Sequence, residues 1–173
     1  MNQDPTANRL FLSQCGELLE QCMVKIRHCL ARLATEQIWW RPRPDQNSIG
    51  NLCLHLAGNL RQWTVCGVGG LPDDRDRASE FTANHPLPGP ELLEQLESRV
   101  VDARQLFDGL DPTALTGIRT IQGFEVTVLQ AILHTTSHFV GHTHQIILLT
   151  RLILGDEYRF QWTPQADRGS IPI

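Results

Sequence analysis

His134, His138 and His142 recur at intervals of four in the segment LHTTSHFVGHTHQI. On a helix, residues four apart share a face, so the three imidazoles form a nearly axial row. His142 falls on the heptad of Val128, Thr135 and Leu149, and His138 adjoins Phe139, which turns the row inward at the margin of an apolar stripe. A single histidine so placed reads as a hydrogen-bonded core residue. Three in register differ: packed imidazoles lose solvation and repel on protonation, whereas a divalent cation takes up their lone pairs and offsets both costs. Two ligands at i and i+4 can share a metal, as in HExxH, but the glutamate of that motif is absent and a further ligand must come from another element. His55, one turn from Leu52 and Asn59 at the edge of a second stripe, is the best candidate. His28 shares a face with Gln21, Lys25 and Arg32, and His85 lies between Asn84 and Pro86. His144 points about 200° away from His142. These three read as surface residues.

Three neutral nitrogen ligands leave a divalent ion its full charge and an open position. A water there falls in pKa from ~15.7 to ~7, and a thiol binds as thiolate, so hydrolysis and thiol transfer are both open. Glu80 and Glu125 are the carboxylates that could reach the mouth as a general base, while Asn51, Asn59 and Gln62 could orient water or substrate. All five residues could equally serve as ordinary caps, loop or surface groups. Trp39, Trp40 and Trp63 could line an apolar pocket or simply pack. A non-catalytic metal-binding bundle with a sensing, storage or oligomerisation role is the alternative, and a purely structural bundle the third reading.

The elements that must hold these residues follow from apolar periodicity. Phe11, Cys15, Leu18, Leu19, Cys22, Met23, Ile26, Cys29, Leu30 and Leu33 predict a first helix over 7–34. Its cysteines at intervals of seven lack CxxC spacing and read as small core residues. Prolines 42 and 44 force a connection. Asn47 or Ser48 then caps a second helix over 48–65. Residues 66–88, rich in Gly, Pro and Asp, read as a long loop, the kind that is functional or disordered. Pro90 and Glu91 suit the first turn of a third helix ending near Leu110. Residues 116–126 read as a short extended excursion, after which the TxxQ box at Thr127 and Gln130 opens a fourth helix to Leu154. The remaining residues, including Trp162, read as an irregular C-terminal tail over the surface. The fold class is all-α, one four-helix-bundle domain spanning 1–173, with up-down-up-down and up-down-down-up topologies equally compatible.

Composition narrows the partners. The 173 residues carry 15 Lys and Arg against 19 Asp and Glu, a net charge of −4, which lacks the electrostatic footprint of a duplex-binding protein. No apolar run approaches the ~18 residues of a membrane span, and the N-terminus has no signal-peptide pattern, so a cytoplasmic protein acting on a small molecule is expected. Five cysteines without an export signal argue against a disulfide framework. A homodimer is plausible for a bundle that can bury a further helix face.

The segments NSIGNLCLHLAGNLRQW (47–63) and LHTTSHFVGHTHQI (133–146), together with WWRP near Trp39 and the GGLPDDRDRASEF loop, resemble the DinB/YfiT-like superfamily of four-helix bundles over nearly the whole chain. The resemblance implies a divalent metal, zinc or nickel, held by His55, His138 and His142, with His134 one turn outside as an outer or alternative ligand. It also implies metal-dependent hydrolysis, or transfer or isomerisation that uses a low-molecular-weight thiol. The sequence departs from relatives at His144, where glycine commonly precedes the glutamine.

Overall fold

A computed structural model describes residues 5–83 and 87–160. Four long helices form the bundle: α1 (Pro5–Leu30), α3 (Ile49–Leu60), α5 (Gly89–Gly109) and α6 (Val128–Leu154). Between them lie the short helices α2 (Thr35–Ile38) and α4 (Arg77–Thr82) and a hairpin of β1 (Ile118–Ile121) and β2 (Phe124–Thr127). The first helix stops at Leu30 rather than 34, because the chain turns there: the Arg32 and Leu33 amides bond the Cys29 and Leu30 carbonyls. His85 and the tail from residue 161, Trp162 included, lie outside the described residues.

Both expected helix starts are present. The Ser48 hydroxyl accepts from the Asn51 amide and the Asn51 side chain returns the bond, while Thr127 and Gln130 form the same reciprocal pair. The second helix runs past 65 by changing register: residues Arg61–Val68 are wound as a π-helix, a local widening often found at functional sites. The excursion at 116–126 is an antiparallel hairpin pairing Ile118 with Thr127 and Ile121 with Phe124. Gln122 and Gly123, at φ 53° and 82°, supply its two-residue turn with the positive dihedrals such turns require.

α1 and α3 sit diagonally, each packed against both α5 and α6. Directions follow from side-chain pairs. Arg9, at the start of α1, donates to the Phe107, Asp108 and Leu110 carbonyls at the end of α5, so these helices are antiparallel. Cys15, Cys22 and Cys29 face Thr136, Thr143 and Thr150 in the same order, so α1 and α6 are parallel. His55 meets His138 while Asn59 meets Thr135, which makes α3 antiparallel to α6. The topology is therefore up-down-down-up. The 66–88 segment must cross the length of the bundle to do this, and it is not only a loop, since it contains α4.

The core is apolar and continuous, from Leu12 and Leu19 through Leu56, Leu60, Leu96 and Phe107 to Ile132, Phe139 and Ile146. All five cysteines are buried and unpaired, and burial raises every thiol, that of Cys53 to about 12. They belong to the α1–α6 seam and the core, as small apolar residues do. Among the described residues, no helix is long and apolar enough to cross a membrane.

Candidate metal centre

Antiparallel packing of α3 on α6 brings His55 opposite the His138 and His142 pair. His138 Nε2 lies 3.1 Å from His55 Nε2 and 3.1 Å from His142 Nε2. All three candidate ligand atoms fall within 4.8 Å of one another. The rings meet edge to face, with His55 perpendicular to His142.

The distal nitrogens explain why the Nε2 atoms converge. His55 Nδ1 is 2.9 Å from Glu80 Oε2, and an ionised carboxylate only accepts, so the proton sits on Nδ1 and donates to Glu80. Likewise His142 Nδ1–H donates to Gln145 Oε1 at 2.9 Å. Both rings thus present Nε2 lone pairs toward His138, whose own buried Nδ1 has no hydrogen-bond partner. At most one proton, on His138 Nε2, can be shared among three facing nitrogens. A divalent ion satisfies all three instead: at Zn–N distances of about 2.0–2.1 Å, tetrahedral ligands stand about 3.3 Å apart, close to the 3.1 Å between His138 Nε2 and each of the other two. The donor set fits a metal.

Glu80 sits on α4 with its side chain 8% exposed, behind His55 rather than at a substrate mouth. Arg75 grips it from the other side, Nε donating to Oε1 at 2.7 Å and Nη2 to Oε2 at 2.8 Å. Burial alone would raise this carboxyl, but hydrogen bonds from His55 and Arg75 outweigh it and hold it below the ordinary carboxylate range. With both oxygens committed to His55 and Arg75, Glu80 orients the His55 ring. Its backbone carbonyl accepts from Asn51 Nδ2 at 2.9 Å. Asn59 is a buried tie between helices, accepting from Thr135 at 3.0 Å. Gln62 donates to Asp73 at 2.6 Å and accepts from Arg75. Glu125 is exposed on β2 across from Thr120, and among the described residues no hydrogen bond joins it to the histidines.

His134 stands one turn along α6, its ring 4.2 Å from that of Trp63 and 5.9 Å from that of His138. Trp39 packs against Gly50, where an added Cβ would meet the indole at 2.7 Å, and donates to the Leu87 carbonyl. Phe81 closes the other side of His55 at 5.0 Å. Sequence reasoning did not single out Arg75, Phe81 or Gln145. Only Gln145 had a local signal, three residues after His142 on the same helix.

Burial lowers His134, His138 and His142, and the neighbouring imidazoles lower His138 further, from the ordinary 6.5 to about 3. The folded value is below the unfolded one, so between about pH 6.5 and 3 the unfolded chain binds a proton that the native protein refuses. Stability of metal-free protein is full above that window and lost as pH falls through it. Urea titrations of chelator-treated protein are expected to show a falling midpoint from pH 7 to 5, with a shallower slope for His138→Ala. A midpoint independent of pH over that range would contradict this.

A family profile described as "Protein of unknown function (DUF1572)" matches residues 6–167. The chain belongs to the DUF1572 family. DUF1572 is a DinB-like family, in agreement with the resemblance carried by the two histidine segments. The DUF1572 chain is similar to a solved conserved protein from Enterococcus faecalis, at 17% identity and TM-score 0.71, covering 83% of this chain and 97% of that one. It is also similar to a DinB-like protein from Bacillus cereus ATCC 10987, at 14% identity and TM-score 0.62, covering 76% and 85%. At these identities the likeness establishes the all-α fold. No curated protein matches the chain.

Proposed function

We propose that the protein is a divalent-metal-dependent enzyme that acts on a small molecule, as a hydrolase or a thiol transferase, with zinc or nickel held by His55, His138 and His142. The observation that carries this reading is the convergence of three Nε2 atoms whose outer rings are turned inward by Glu80 and Gln145. An ion on three neutral imidazoles keeps its charge and an open position, at which it can acidify a water or a thiol. Glu80 keeps the His55 proton on Nδ1, and Gln145 does the same for His142. Phe81 on one side and the Trp63–His134 pair on the other supply ring surfaces beside the cluster. Burial keeps His138 neutral, and therefore able to bind a metal, at physiological pH.

The test is elemental analysis of untagged protein purified without chelator, alongside His55→Ala, with thermal melts before and after EDTA. About one zinc or nickel per chain is expected, absent from the variant, with a melting temperature that falls on chelation and recovers on adding metal. Loaded protein is then assayed for ester and amide hydrolysis and for conjugation of low-molecular-weight thiols to electrophiles. No bound metal, and no stabilisation by added zinc or nickel, would overturn the reading.

A further inference from the structure

We propose that Arg75 is the positioning residue of the histidine cluster: its guanidinium fork holds the Glu80 carboxylate in the orientation that turns His55 Nε2 toward His138 and His142. The significance for metal binding rests on the function proposed above, while the orientation itself does not.

A glutamate side chain reaching a histidine from a short surface helix has several torsions free, so a single His–Glu bond fixes little. Arg75 removes that freedom by engaging both oxygens, with Nε on Oε1 and Nη2 on Oε2. Such a two-point grip defines the carboxylate plane, and it leaves Oε2 aimed at His55 Nδ1. The fork is fixed in turn. Its third arm, Nη1, donates to Gln62 Oε1 at 2.7 Å, and that oxygen also accepts from Gln122 at the hairpin turn. Gln62 lies in the π-wound stretch and donates onward to Asp73. The π-helix and the 71–83 segment therefore meet at one guanidinium whose side chain is 5% exposed, and the hairpin is joined to it through Gln62. Nη2 also lies 3.1 Å from His55 Nδ1, so the two donors converge side by side on Glu80 Oε2, which accepts from each.

Pinning the 71–83 segment to the bundle is the competing role, and other groups already perform it. Asn51 holds the Glu80 carbonyl, Arg41 donates to the Phe81 carbonyl at 3.0 Å, and Arg61 pairs with Asp74. The space for the fork is built into α3: a Cβ on Gly58 would overlap Glu80 Oε1 and stand 2.9 Å from Arg75 Nε.

The experiment compares the parent protein with Arg75→Lys and Arg75→Met by nitrogen NMR of the His55 ring in metal-free protein and by zinc affinity in chelator competition. Circular dichroism verifies the fold. The parent's His55 is expected as the Nδ1–H tautomer, and both variants as a mixture, with zinc affinity weaker by about 10-fold or more. In a Glu80→Gln background, Arg75→Met is expected to add little, as coupled residues do. Lysine keeps the charge but offers a single point of contact, so Arg75→Lys separates orientation from charge and decides the matter if Arg75→Met fails to fold. An unchanged tautomer and a zinc affinity within about twofold of the parent in Arg75→Lys would overturn the proposal. If the parent binds no zinc, the metal reading fails, yet the tautomer readout still decides the role of Arg75.

Discussion

Alanine at His138 is expected to weaken zinc or nickel binding by more than the roughly 10- to 100-fold that loss of an outer partner costs. His138 is the centre of the cluster, its Nε2 3.1 Å from each of the other two. Without it, His55 and His142 remain as two ligands on different helices, too few for the closed three-point grip that catalytic sites use. Chelator competition on the refolded variant measures the loss directly. His134→Ala is the control. Its ring leans on Trp63 and stands a turn outside the ligand set, so binding is expected to change by no more than about threefold, less than even an outer-partner loss. Unchanged affinity in His138→Ala would refute the ligand assignment, and a loss in His134→Ala equal to that in His138→Ala would move the site one turn along α6.

Alanine at Glu80 is expected to destabilise the fold by about 3–5 kcal/mol, because it leaves Arg75 buried without its counter-ion. Both side chains are under a tenth exposed, so water does not take over the pairing. For a chain of this size such a loss lowers the melting temperature by roughly 10 °C. Removing both partners of a buried pair is much less costly than removing one. Glu80→Ala combined with Arg75→Leu is therefore expected to recover most of the lost stability while metal affinity stays weak. Denaturant titrations of the single and double variants separate these effects. If Glu80→Ala lies within about 1 kcal/mol of the parent, the value of a surface pair, the Arg75–Glu80 contact is not buried in solution.

The same pair marks the boundary of what the sequence reveals. His55, His138 and His142 are legible because helical period is a local property: i, i+4 spacing on an apolar stripe fixes a face whatever the helix packs against. Glu80 is visible as a carboxylate in the long connection, but not its role. Asp, Arg and Glu in a turn-rich stretch ordinarily point to solvent, and only a partner twenty-five residues away, His55, draws this one inward. The structure places it behind His55 as a buried anchor of that ring. Arg75 carried no signal at all, since its partners, Glu80 and Gln62, lie on α4 and the π-wound stretch.

Four helices, an N-cap at Asn47 or Ser48, the capping box at Thr127 and Gln130, the apolar cysteine stripe and the face shared by His134, His138 and His142 were legible in the sequence alone. These depend on contacts within a few turns of one chain segment, where residue type and spacing suffice. Tertiary structure decided the up-down-down-up order, the π-winding after Leu60, the α4 helix inside the crossover and the convergence of three Nε2 atoms. The helix order and the convergence rest on groups far apart in sequence, where burial makes an ion pair or a hydrogen bond worth satisfying. The physical reason is the range of the forces: propensity and periodicity act locally, whereas the cost of an unpaired buried polar group is set by whatever the rest of the fold brings beside it.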